Sequence, residues 1–378
     1  MILFVSLVSF AVWVYLIGFH GRFWRSSPVL DTAAVPSGKA TVAVIVPARN
    51  EAESIRQSLT SLLAQDYLGD FCVLLVDDNS TDGTDEIARS LGAGERLKII
   101  SGQPLPSGWT GKLWAVNEGL NQNEAQRADF VLLTDADIVH APGHLSMLIA
   151  RAEADSFDLT SAMVHLRCVT APERTLIPAY VFFFQMLYPF DWVADPGKIL
   201  AGAAGGTMLV SRHALDRIDG VSRIRHQLID DCALAREIKS TGGRIWLGHA
   251  TRAASIRAYP QWRDIWDMIA RTAYVQLRHS PIMLLACIVA MCTIYLAPPL
   301  LTLFTHGLPR ALGALSWLIM TLAFQPTLQR YRRSPLWGPA LPAISLFYLC
   351  ATIASALRHH TGRGGGWKNR VYPKDSAR

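Results

Sequence analysis

The sequence predicts an α/β domain with a doubly wound sheet, framed by membrane segments, and three observations carry that expectation. Between residues 41 and 133, short apolar runs alternate with helix-period segments, the pattern of parallel strands joined by crossover helices. Ile2 to Phe19 holds no charged residue, and between Pro281 and Leu357 the only charges are Arg310, Arg330, Arg332 and Arg333. Of the 378 residues, 17% are charged and 51% hydrophobic, where a soluble domain holds roughly a quarter charged. This composition excludes intrinsic disorder and a plain water-soluble globule.

Ile2 to Phe19 is long enough to cross a bilayer and defines a first region, residues 1–20. It lacks a charged leader and is followed by the bulky Gly21-Arg22-Phe23-Trp24-Arg25. An uncleaved anchor is therefore expected, with its arginine-bearing end, and the domain that follows, in the cytoplasm. Asp31 to Lys39, with Pro28, Pro36 and Gly38 around it, reads as a linker. Thr41–Val46 is expected to be a strand buried on both faces. Glu51–Ala64 follows as a helix with Ile55, Leu59, Leu62 and Leu63 on one face. Phe71–Val76 (strand), Thr84–Ser90 (helix), Leu97–Ile100 (strand), Lys112–Asn121 (helix) and Phe130–Leu133 (strand) continue the alternation. Such a sheet binds ligands at the carboxyl ends of its strands.

Thr175 to Trp192 is dense in aromatics, and Pro178 and Pro189 shorten its uninterrupted run to about ten residues, too few to span. A helix lying in the bilayer interface over 173–192 is expected, with a core helix as the plain alternative. Three further apolar stretches, Ile282–Phe304, Ala311–Phe324 and Ala340–Leu357, fall within 281–357. Three full crossings would put the Arg330 to Arg333 loop and the basic tail, 358–378, on opposite sides, so re-entry of one segment or a break at Pro298-Pro299 stays open.

The formal charge is +6 and the pI about 9.1. The basic residues sit beside apolar segments: Arg22 and Arg25, Arg330 to Arg333, and six in the tail. That placement suits anionic lipid headgroups, and no nucleic-acid partner is expected. The six cysteines form no C-x-x-C pair, so neither a zinc cage nor a disulfide framework follows. Unpaired thiols agree with a reducing compartment.

Three acidic clusters stand at strand ends or helix starts. Asp77-Asp78 follows the second strand, Asp135-Ala-Asp137 the fourth, and Asp230-Asp231 opens a helix running through Leu234 and Ile238 to Gly242-Gly243. One such pair is weak evidence, because aspartate caps turns and helices everywhere. Three of them at the ligand-binding edge of one sheet point to chemistry. Carboxylates one residue apart can share a hard divalent cation whose other positions go to phosphate oxygens and water, and a separate carboxylate can serve as a general base.

Val44-Ile-Val-Pro-Ala-Arg-Asn-Glu51, Val76-Asp-Asp-Asn-Ser-Thr-Asp-Gly-Thr84, Thr134-Asp-Ala-Asp137 and Asp230-Asp-Cys-Ala-Leu-Ala-Arg236 resemble, in order and spacing, the motifs of family 2 inverting glycosyltransferases of the GT-A fold. The resemblance covers residues 40–280. The Asp-Asp-x-x-Leu-Ala form is also similar to that of ceramide glucosyltransferases. The whole layout, with Phe23-Trp24-Arg25 and Gly364-Gly-Gly-Trp-Lys-Asn-Arg-Val-Tyr372, most resembles the hopene-associated glycosyltransferases of bacteria.

The resemblance implies roles residue by residue. Pro47, Arg49 and Glu51 would border the nucleotide, and Asp77 or Asp78 would accept from the uracil N–H. Lys112, in Gly-Lys-Leu-Trp-Ala-Val-Asn-Glu-Gly119, suits the donor, with a surface lysine at a helix start as the plain alternative. Asp135 would border the donor and, with Asp137, hold Mg²⁺ or Mn²⁺; Asp231 would be the base, with Asp230 where the family usually has Glu. The Gln-x-x-Arg-Trp of processive relatives is not matched: the nearest string is Gln276-Leu-Arg-His-Ser280. Arg271, Arg278 or His279 could neutralise the leaving diphosphate instead. The implied enzyme is non-processive, sits in the bacterial inner membrane with its catalytic domain cytoplasmic, and moves a sugar from a nucleotide-sugar, a UDP-sugar by the uracil reading, to a lipid hydroxyl with inversion. Its rivals are transfer to a polyprenyl phosphate, whose acceptor is already an anion, and a silent membrane scaffold that keeps only the fold.

Overall fold

Among the described residues, nine strands build one mixed sheet: β1 (Val29–Leu30), β2 (Val42–Ala48), β3 (Phe71–Asp77), β4 (Leu97–Ser101), β5 (Phe130–Thr134), β6 (Ile138–His140), β7 (Leu159–His165), β8 (Thr207–Ser211) and β9 (Ile245–Ser255). Their spatial order is β1-β9-β7-β8-β5-β2-β3-β4, with β6 against β9. This computed structural model describes residues 1–30, 36–361, 366–367 and 370–371. The expected basic tail lies outside the described residues beyond Thr361, apart from the backbone of Gly366–Trp367 paired with Arg370–Val371. Most of the expected linker lies outside them as well.

The four expected strands are β2, β3, β4 and β5, and they pair in parallel as the alternation requires. Beyond them the sheet departs from the all-parallel expectation. β8 runs antiparallel between β5 and β7, while β7 pairs in parallel with β9. β2 is buried along its whole length. Pro47 is tolerated within it because pairing with β5 ends at Ile45, so β2 has only β3 beside it there. The helix Gly111–Leu120 lies close on β2: a Cβ on Gly119 would come within 2.7 Å of the Ile45 side chain, so only glycine allows that approach.

The sheet belongs to one of two compact units, made of Pro28–Arg167, Trp192–Ala258 and Gly366–Arg378. The other unit, Met1–Ser27, Cys168–Asp191 and Tyr259–Gly365, is helical. Among the described residues, five helical stretches are long and apolar enough to cross a membrane: Ile2–Phe19, Ala171–Ala194, Pro281–Phe304, Gly307–Arg330 and Pro335–His360. The aromatic stretch differs from expectation. Its helix, Ala171–Leu187, runs straight through Pro178. The carbonyl that the proline leaves without a helical donor is that of Arg174, an exposed residue. Thr170 and Glu173 close the helix start with a capping box. The aromatics expected to lie in an interface plane instead fill the packing of this unit. Phe182 lies 5.4 Å from Phe23 and 5.2 Å from Phe324 by ring centroids, and Phe183 lies 4.9 Å from Tyr348.

The Pro298-Pro299 pair breaks nothing outright either. Neither proline can donate to the carbonyls one turn back, and the helix answers with a π-turn over Cys292–Leu296. The Ile294 carbonyl freed in this way accepts from the Trp13 indole N–H at 2.8 Å. Trp13 is fully buried and meets Tyr295 edge-on at 5.8 Å. A carbonyl inside an apolar helical layer needs such a donor, because neither lipid nor aliphatic side chains supply one. Trp13→Phe keeps an aromatic ring and deletes the donor, so it should lower unfolding stability in detergent by about 1–2 kcal/mol. An unchanged midpoint and slope in denaturant would show that the carbonyl finds another partner.

Candidate active site

The chain reverses its order of strand addition at β2, whose neighbours are β3 and β5. A ligand crevice is therefore expected past the carboxyl ends of these strands, and the structure puts the motif residues there. Pro47 is near the end of β2, Asp77 ends β3, and Asp135 directly follows β5. Pro47, Lys112, Asp135, Gly205, Met208 and Asp230 are among the residues lining one cavity at this edge.

The first two motifs brace each other. Asn50 and Asn79 both adopt left-handed backbone, with φ of 50° and 54°, a conformation asparagine tolerates. That turn aims three consecutive amides at the opposite loop. Asn50 N–H donates to Ser80 Oγ, Glu51 N–H to Thr84 Oγ1 and Ala52 N–H to Asp82 Oδ2, each at 2.9 Å. Thr81 N–H returns a bond to Asn50 Oδ1 at 2.9 Å. The helix expected from Glu51 starts only at Ile55. Asp77 accepts from the Ser80 hydroxyl and, at 3.1 Å, from the Ser80 amide, so its carboxylate closes its own turn. Asp78 is buried, with Arg49 Nη1 3.6 Å from its Oδ2.

A tighter cluster forms where the third and fourth motifs meet Lys112. The Lys112 ammonium lies 2.8 Å from Asp135 Oδ1 and 3.0 Å from Asp230 Oδ2. Burial works against its charge, but Asp135 and Asp230 override that and hold the ammonium well above the usual lysine range. Asp231, next along the same helix start, accepts from Gly205 N–H at 2.9 Å and Cys232 N–H at 2.7 Å. Burial, followed by the neighbouring Asp230 charge, pushes the Asp231 carboxyl up to about 6, while Lys112 and the two amides oppose the shift. Such a carboxylate is basic enough to take a proton near neutral pH.

Asp137 faces elsewhere. Its Oδ2 accepts from Arg257 Nε at 2.6 Å, and the same guanidinium reaches Glu51 Oε1 at 2.8 Å. Burial raises the Asp137 carboxyl above its ordinary value, and Arg257 counters most directly. Behind Asp135, the Thr134 hydroxyl donates to the Gly206 carbonyl at 2.7 Å. The contact of 3.0 Å from His140 Nε2 to that hydroxyl must then be a donation from the ring. Burial and the adjacent His144 keep His140 neutral by lowering its pKa well below the usual histidine range.

Arg257, Gly205 and His140 were not legible as site residues. Arg257 follows a strand that the hydropathy pattern did not reveal, and Gly205 acts through its backbone. His140 sits five residues past Asp135, and that spacing was the one available signal. Arg271, Arg278 and His279 belong to the helical unit. His279 stacks there on His359 with centroids 4.1 Å apart.

Residues 43–219 match the family model described as glycosyl transferase family 2. A probable glycosyltransferase, YdaM, of Bacillus subtilis is 25% identical over 243 residues, 61% of this chain and 54% of that protein. An undecaprenyl-phosphate 4-deoxy-4-formamido-L-arabinose transferase of Aeromonas hydrophila is 31% identical over 124 residues, 32% of this chain and 36% of that protein. This chain thus spans about half the length, or less, of these curated relatives. Among solved structures, the mannosyltransferase PcManGT of Pyrobaculum calidifontis, in complex with GDP-Man and Mn²⁺, superposes with a TM-score of 0.56 at 20% identity. That likeness of fold covers 98% of this chain and 100% of the other. Residues 43–219 therefore form a glycosyltransferase family 2 domain, carried on a GT-A-type mixed α/β sheet.

Proposed function

We propose that this protein transfers a sugar from a nucleotide-sugar to the hydroxyl of a membrane lipid, with inversion. The observation that carries the reading is the convergence of Lys112, Asp135, Asp230 and Asp231 at the carboxyl edge of the sheet. Asp231 takes the acceptor proton as the hydroxyl oxygen attacks the anomeric carbon. Its two backbone donors fix the carboxylate in orientation, and burial holds its basicity near the working pH. Lys112 meets the negative charge of the donor. Asp78, buried with Arg49 at its side, accepts from the base N–H, since Asp77 is occupied in its own turn. A uracil base fits this role.

The donor set fits a divalent cation. Asp135 presents hard carboxylate oxygens to the cavity, and there three carboxylates share one ammonium, leaving excess negative charge. Among the described residues no three ligating side chains converge. Asp135 would hold Mg²⁺ or Mn²⁺ together with donor phosphate oxygens and water, and Asp137, whose Oδ2 accepts from Arg257, would add its other oxygen. Bound there, the ion would stabilise charge developing on the leaving diphosphate.

The membrane-length helices support an acceptor that never leaves the bilayer, in a bacterial inner membrane with the sheet unit cytoplasmic. The resemblance to hopene-associated enzymes makes a hopanoid or related glycolipid the first acceptor to test. A polyprenyl phosphate is the second reading, favoured by the acceptor in the name of the Aeromonas relative. The intact acidic cluster counts against a silent scaffold. Mass spectrometry of lipids from cells with and without the gene tests both acceptors, and a glycolipid that vanishes names sugar and acceptor together. An unchanged lipid profile, with no hydrolysis of a nucleotide-sugar by the purified protein, would favour the scaffold.

Asp231→Asn should lower turnover about a hundredfold or more while donor affinity stays near normal; an equal fall in both would make Asp231 a binding group. With a polyprenyl phosphate acceptor, which needs no base, Asp231→Asn should retain activity.

The pH profile gives an independent check. Because Asp231 must be unprotonated to act, kcat/KM should fall as pH drops through its raised pKa. The Asp230 charge contributes to that raised value, so Asp230→Asn should move the acid limb to lower pH. A limb that stays in place would assign it to another group.

Asp137→Ala should abolish transfer and remove the metal dependence of nucleotide binding. Donor affinity equal to wild type with and without chelator would overturn the metal assignment.

A further inference from the structure

The two carboxylates of Asp135-Ala-Asp137 are each met by a cation of the chain, and the two cations differ in kind. Arg257 grips Asp137 at 2.6 Å and Glu51 at 2.8 Å with different nitrogens of one planar fork. A guanidinium cannot lose its charge and, held by two partners, is hard to move. Lys112 is a point charge on a flexible stem. It bridges Asp135 at 2.8 Å and Asp230 at 3.0 Å, and Asp231 adds a third carboxylate to its field. A divalent cation arriving at Asp135 meets an ammonium already 2.8 Å from its Oδ1. Two like charges cannot share one carboxylate at contact distance without strong repulsion. One of them must give way, and Lys112 is the group with both a second partner and the freedom to move.

We propose that Lys112 is a displaceable internal counterion that opposes binding of the metal alone and favours binding of metal and nucleoside diphosphate together. In the ligand-free site it holds Asp135 and Asp230 together against their mutual repulsion. When the cation takes Asp135, Lys112 turns to the anionic diphosphate, which supplies the charge it has lost. Metal and nucleotide then bind cooperatively, each raising the affinity of the other by the same factor. This rests on the donor-and-metal reading above, and it reaches further by assigning to one side chain the coupling between the two ligands. A lysine that merely binds donor would leave the affinity for metal alone unchanged.

The test is Mn²⁺ binding to the full-length protein in detergent, followed by electron paramagnetic resonance, with and without UDP. Lys112→Gln removes the charge and keeps a polar side chain. It should bind Mn²⁺ alone more tightly, on the order of tenfold, and lose most of the tightening that UDP produces in the wild type. Lys112→Arg keeps the charge and offers a fork suited to two carboxylates. It should bind Mn²⁺ alone more weakly than wild type, which keeps the proposal testable if Lys112→Gln fails to fold. Mn²⁺ affinity in Lys112→Gln equal to or below wild type, or in Lys112→Arg equal to or above it, would overturn the displacement while leaving the metal site standing. Absence of Mn²⁺ binding in wild type and Lys112→Gln alike would overturn the metal reading, and the displacement with it.

Discussion

Three carboxylates gathered around one ammonium are the constraint on which the functional edge of the sheet depends. Left to themselves, Asp135, Asp230 and Asp231 would repel one another and draw water. Lys112 holds the first two, while the amides of Gly205 and Cys232 hold the third. These groups come from four parts of the chain, around Lys112, Asp135, Gly205 and the helix start at Asp230, so the sheet must bring four segments into register before they are all satisfied. This is the role of the mixed topology. β8 runs back between β5 and β7, and the loop before it delivers Gly205 beside the helix that begins at Asp230. Thr134 and His140 then tie the end of β5 to Gly206. The proposed acid–base function and the structural order rest on the same contacts.

The helical unit is built largely from stretches long and apolar enough to cross a membrane. Its helices are apolar on most faces, so the decisive contacts are the few polar ones that backbone breaks require. Trp13 meets a carbonyl released by the proline pair, Tyr348 donates to the Leu176 carbonyl at 2.9 Å, and Gln185 donates to the Phe23 carbonyl at 2.8 Å. Aromatic and polar side chains here serve the backbone first. The dense aromatics of the helix through Phe182 and Phe183 are explained by that packing.

The parallel half of the sheet was legible because β2, β3 and β5 are continuous apolar runs, buried almost throughout. β7, β8 and β9 were not. Leu159–His165 carries Thr, Ser and His, and Ile245–Ser255 is interrupted by Gly248, His249 and Arg252, so neither shows a clean period. Pro178 was read as a break because local sequence cannot reveal the neighbours that hold a helix together. At the site, side chains in compact motifs were legible as candidates, and Lys112, Asp135, Asp230 and Asp231 do come together. Their division of labour was not. That Asp77 closes its own turn, and that Asp137 faces Arg257 while Asp135 faces Lys112, depends on partners from distant segments or on turn geometry.

The reciprocal bonds between residues 50–52 and 80–84 have a kinetic meaning. Neither loop can open without stripping hydrogen-bond partners from the other, so the two form one cooperative opening unit rather than two independent flaps. The loop beside Asp78 is thus a wall already assembled, and a ligand bound against it would be charged little ordering entropy. The corresponding limit is on exchange. Loosening of this wall requires both strand ends to yield at once.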